Sequence, residues 1–81
     1  MWPTKGTVGF KLLEVVKSLS GKCVGGRVPV TEIYLEMDDR PRESIRTTLS
    51  QLKIRGFVST PMRGMYIVSK KGEKLLEEEG E

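Results

Sequence analysis

Between Arg40 and Val58 the chain reads RPRESIRTTLSQLKIRGFV, and this stretch limits the possible folds more than any other. Proline lacks the N–H that the first helical position would leave unpaired, so Pro41 marks a helix entry, at Arg40 or Pro41, and not a break. Ile45, Leu49 and Leu52 then recur at i, i+4 and i+7 with Thr48 beside them, one narrow apolar stripe at the helical period. Gly56 follows and supplies the left-handed conformation with which helices commonly end, while Lys53 and Arg55 place positive charge at the negative end of the dipole. A helix over about 41–55 is predicted, with its stripe in the core. Its other side carries Arg42, Glu43, Ser44, Arg46, Thr47, Ser50 and Gln51, polar groups of which most can donate hydrogen bonds. Taken alone, such a face is an ordinary solvated surface.

The distribution of charge gives that face a context. The net charge is only +3, yet residues 1–39 balance at zero, residues 40–72 carry +7 with Glu43 as their one acid, and residues 73–81 carry −4. The basic charge therefore sits in the central helix and in the segment just after it, where a polyanion would be attracted.

Eighty-one residues, 37% apolar and 31% charged, suit a single domain over 1–81 with one small core. No apolar run approaches the roughly 20 residues of a membrane span, and MWPTKG does not read as a signal peptide, so a cytoplasmic or nucleoid-associated location is expected. Cys23 is the single cysteine, which forbids an intramolecular disulfide but not one between chains, and the absence of histidine removes the usual Cys/His zinc site. No metal, other cofactor or small-molecule ligand is indicated.

The flanking segments can be placed in order. Val8, Leu12, Val15, Val16 and Leu19 form a helical stripe from about Thr7 to Ser20, with Gly21 at its end. Phe10 and Leu13 fall on the other side of that helix. They invite a partner, with Trp2 able to join them in a homodimer interface, or else a later segment of the same chain folds over them. In KCVGGR the phosphate-loop pattern is only approached, because Arg27 stands in place of lysine and Val28 in place of the hydroxyl residue. Val28 to Val30 makes at most a stub of strand, and Thr31 reads as the N-cap of a short helix with Ile33, Tyr34 and Met37 inward and Glu32 and Glu36 outward. Acidic groups make poor neighbours for phosphate, so this second helix should lie away from any nucleic acid.

Beyond the central helix, Phe57–Thr60 and Met65–Ser69 read as two strands of a hairpin over about 57–69, closed by Pro61, Met62, Arg63 and Gly64. Lys70–Glu79 forms a last helix with Leu75 and Leu76 inward, its start weakened by Gly72 and its end opposed by glutamates.

In this frame, SIRTTLSQLKIRGFV resembles the winged-helix pattern of a hydroxyl residue, an aliphatic, an arginine and then L-x-x-L-x-x-x-G followed by two hydrophobics. MYIVSKKGEKLLE is similar to the strand-to-helix exit of the same family, and VPVTEIYLEMDDRPRES to its second helix and turn. The resemblance covers roughly residues 8–79 and includes small prokaryotic, archaeal and archaeal-virus transcriptional regulators. It implies an α+β fold: a winged helix-turn-helix with a three-helix core, a two-stranded hairpin wing and a short C-terminal helix. It further implies sequence-specific binding of double-stranded DNA, with Ser44, Arg46, Thr47 and Ser50 on the major-groove face, Arg42 and Gln51 beside them, and Arg63 at the wing tip. Lys53, Lys70 and Lys71 would then contact phosphate, which positions the domain without reading sequence. A homodimer on a near-palindromic operator, acting as a repressor, is the regulatory expectation.

Two other functions compete. Catalysis needs a nucleophile with a base or a poised carboxylate pair; the serines have no histidine partner, and Asp38 and Asp39 before a proline-started helix read as caps, so no enzyme is expected. A winged helix can also serve as a protein-interaction module within a larger assembly, since fold does not fix function. The concentration of +7 on residues 40–72 favours DNA. Ile54, on the polar side of the central helix, fits neither the core stripe nor the polar face.

Overall fold

In the computed structural model, which describes residues 3–79, the first helix, α1 (Val8–Ser20), packs against every later helix and against two strands. The Thr7 hydroxyl caps it, accepting from the Phe10 amide at 3.2 Å and donating to the Thr4 carbonyl at 2.7 Å. Because neighbours surround α1, its buried arc is wider than the stripe read from sequence. It runs from Leu19 through Leu12, Val16 and Leu13 to Phe10, about half the circumference at about 100° per residue.

This corrects the expected dimer interface. Phe10 is 1% exposed and Leu13 is fully buried, so the chain itself covers both. Leu13 lies under the C-terminal helix, its Cδ1 3.3 Å from where a side chain on Gly72 would begin. Trp2, the third residue of that expected interface, lies outside the described residues.

A 3-10 turn at Val24–Gly26 leads into β1 (Val28–Pro29) and α2 (Val30–Glu36). Thr31 is not the cap of α2. The helix begins two residues earlier, with Pro29 at the cap position and no side-chain cap, because the Gly64 carbonyl of the hairpin accepts from the Val30 amide at 2.9 Å. A tertiary bond thus takes the place of the local one. Next come α3 (Arg42–Ile54), β2 (Val58–Ser59), β3 (Met65–Val68) and α4 (Lys70–Glu79). Pro41 is the extended cap residue of α3, and Gly56 just past its end has a φ of 84°.

The sheet has three antiparallel strands in the order β1-β3-β2, not the two expected. The stub Val28–Pro29 pairs with β3, Val28 opposite Tyr66 and Pro29 opposite Met65, while Val58 and Ser59 of β2 face Val68 and Ile67. Among the described residues the fold is therefore α+β, with four α-helices and one antiparallel sheet. The core joins α1 to Val28, Ile33 and Met37, to the stripe of α3, and to Phe57 and Val58.

Among the described glycines Gly72 has the closest surroundings. A Cβ there would run into the Phe57 carbonyl and come within 2.8 Å of a Val68 methyl. The glycine that weakens the start of α4 by propensity is the one that lets the helix sit on the base of the hairpin.

Candidate functional site

The apolar stripe of α3 determines which of its side chains face away from the core. Ile45, Leu49 and Leu52 are all 0% exposed. About 180° around the helix lie Glu43, Thr47, Ser50 and Ile54, at i, i+4, i+7 and i+11, and all four are exposed. Glu43, Thr47 and Ser50 line a shallow concavity together with Arg46. Arg42, Arg46 and Lys53 run along one flank of this line, and Ser44, Gln51 and Arg55 along the other. Thr48, nearer the core, donates to the Ser44 carbonyl at 2.8 Å, which keeps its hydroxyl on its own helix.

Tyrosines support the basic flank. The Arg42 guanidinium lies 5.2 Å from the ring centroid of Tyr34 on α2. Next to it, burial raises the pKa of the Tyr66 hydroxyl on β3 above its ordinary value, Tyr34 adds to the rise, and Arg46 opposes it. The two tyrosines thus stand beside the two arginines, where α2, α3 and the sheet meet.

At the C-terminal end of α3 the cations divide. Lys71 donates to the Arg55 carbonyl at 2.7 Å and sits 4.7 Å over the Phe57 ring, so its ammonium is held against the end of α3. Lys70 beside it is exposed. Arg63 is exposed in the turn between β2 and β3, and Gly64, with a φ of 77°, ties that turn to the start of α2.

Of the residues expected to meet DNA, the fold gathers Arg46, Thr47 and Ser50 in one concavity and sets Arg42 and Lys53 beside it. Ser44 and Gln51 face the far flank, while Arg63, Lys70 and Lys71 belong to the hairpin turn and to α4. Two residues join the site that the sequence did not put forward. Glu43 lines the concavity, and its spacing to Thr47 and Ser50 was a readable signal. Arg27 reaches the hairpin turn, its Nη1 3.5 Å from Met62 Sδ, through the pairing of β1 with β3, which left no local mark in the sequence. Ile54 is 83% exposed and packs against nothing in the core.

Among the described residues no helix is long and apolar enough to cross a membrane. In comparisons with known proteins, no family model, no curated protein and no solved structure matches the chain.

Proposed function

We propose that the chain is a winged-helix domain that binds double-stranded DNA, with α3 in the major groove and the β2–β3 hairpin as its wing. The fold reading is supported by the element order α1, β1, α2, α3, β2, β3, α4 and by β1 pairing with the second strand of the hairpin. The functional reading is carried by one observation: α3 buries its whole apolar stripe and presents hydroxyl groups beside a row of cations. Hydroxyls and guanidinium groups match base edges, and cations match the flanking phosphates.

On this reading Arg46, Thr47 and Ser50 meet base edges, while Arg42, Lys53 and Lys70 grip phosphate. Arg63 reaches the backbone or the minor groove from the wing tip. Occupancy of a promoter by such a domain represses transcription.

A mobility-shift assay on duplex DNA between about 50 and 200 mM salt tests the proposal. Neutralising four or so phosphates gives an affinity that falls with roughly the fourth power of salt concentration. No binding, or a flat response to salt, overturns it. Protein interaction is the second reading, and Ile54, 83% exposed, and Leu35, 70% exposed, are the apolar side chains it would use. That reading requires a partner bound through these two residues, with binding lost on Ile54→Ser and little affected by salt.

A further inference from the structure

Glu43 is the one acid between residues 40 and 72, where the net charge is +7, and it lies on the central outward line of α3. A carboxylate facing a polyanion weakens binding at every site it does not specifically recognise. The dipole at the start of α3 accounts for an acid in the first turn, but not for its place on that line, since Arg42 and Ser44 in the same turn face the flanks. Among the described residues no side-chain hydrogen bond or ion pair engages the Glu43 carboxylate, although Arg46 lines the same concavity. The carboxylate is thus presented with its acceptor oxygens unoccupied, at the N-terminal end of the concavity that it lines with Arg46, Thr47 and Ser50.

We infer that Glu43 is a specificity-determining residue that selects a cytosine in the bound duplex, an inference that rests on the DNA-binding reading of α3. An ionised carboxylate only accepts hydrogen bonds. In the major groove guanine offers N7 and O6 and thymine offers O4, all acceptors that repel it, whereas cytosine offers the N4 amino donor. Adenine offers N6 but sets N7 beside it, which repels the second carboxylate oxygen and suits an amide better. Glu43 therefore acts chiefly by exclusion, lowering affinity for most sequences and sparing those with cytosine under the first turns of α3. Arg46, from the same concavity, reads guanine on either strand nearby by donating to O6 and N7.

Selection of bound sequences from a random duplex pool tests this with the wild-type chain, Glu43→Gln and Glu77→Gln. The last removes the same charge from the exposed end of α4. The wild type should enrich cytosine at one position by about tenfold. Glu43→Gln should lose that preference and admit adenine there while keeping the rest of the motif, and Glu77→Gln should keep the motif whole. An unchanged motif with Glu43→Gln, or the same loss with Glu77→Gln, overturns the role of Glu43 and leaves DNA binding standing. A wild type that binds no duplex overturns both.

Discussion

The Lys71 ammonium, at 2.7 Å from the main-chain carbonyl of Arg55, closes the C-terminal end of α3 from another helix. The bond is one of a pair: Ser69 Oγ donates to the Gly56 carbonyl and accepts from the Gly72 amide at 3.2 Å. Side chains at the start of α4 therefore close the end of α3, while Ser69 also caps its own helix, and a cation meets the Arg55 carbonyl where the dipole of α3 is negative. This gives Lys71 a structural duty in a place where sequence reading put a phosphate contact.

Replacing Lys71 should accordingly cost stability. Lys71→Met removes one charge-assisted hydrogen bond and the cation over the Phe57 ring, both at the surface, for about 1 kcal/mol. The urea midpoint should fall, and the melting temperature should drop by about 4–8 °C. Lys70→Met, one residue away, should stay within about 0.5 kcal/mol of the wild type. Equal losses from the two substitutions would show that the charge of the segment matters and the bond to Arg55 does not.

Gly72→Ala is expected to destabilise although alanine is the better helix former. Propensity favours alanine by about 1 kcal/mol in a helix interior. Against this, the new methyl meets the Phe57 carbonyl, which is fixed by its bond from the Ser69 amide at 2.9 Å, and a Val68 methyl at 2.8 Å. Overpacking of this kind costs about 1–3 kcal/mol, and a backbone carbonyl yields less readily than a side chain. A net loss in chemical denaturation is the expected result; a gain would mean that α4 shifts freely on the hairpin.

These two residues mark where the sequence stops being readable. Elements set by local chemistry were legible: the stripe Ile45, Leu49 and Leu52 is buried as its period requires, Gly56 takes the left-handed conformation, and Lys70–Glu79 is helical over the predicted span. Features set by contacts distant in sequence were not. The start of α2 depends on a carbonyl from the hairpin and not on Thr31, and the strand stub at Val28 becomes part of a sheet only through Tyr66 and Met65. Phe10 and Leu13 read as an outer face because periodicity reports how one helix is divided but not how many neighbours surround it. The outward face of α3 followed from its stripe, so most of the candidate site was visible; Glu43 was visible too, as the one acid of residues 40–72 and by its spacing to Thr47 and Ser50.

The environment of Tyr66 makes a prediction about alkaline pH. Its pKa is raised in the fold, by burial first and by Tyr34 second, so the folded state holds the phenolic proton more tightly than the unfolded chain. The associated stability is fully present below the unfolded value of about 10 and is lost as pH rises through the folded value. Between about pH 8 and 10.5 the urea midpoint of the wild type should therefore fall more than that of Tyr66→Phe. Lysine titration is common to both proteins and cancels in the difference. Parallel curves would remove Tyr66 as a contributor.

The geometry of α3 separates two kinds of cation, and DNA binding should separate them as well. Arg46 shares a concavity with Thr47 and Ser50, whereas Lys70 is exposed at the start of α4 and has no part in it. A guanidinium that reads a base makes two directed bonds worth about 1–3 kcal/mol of discrimination, whereas a lysine on phosphate contributes charge alone. Arg46→Ala should therefore relax preference at one base position and weaken the preferred site by roughly 10- to 100-fold, with less effect on random duplex. Lys70→Ala should weaken preferred and random duplexes alike and lower the salt exponent by about 1. Titration of both variants against the selected site and a scrambled duplex, each over a salt series, measures all of these quantities. If both variants lose affinity in the same proportion on both duplexes, the concavity on α3 does not read bases, and Arg46 acts as one more charge along the flank.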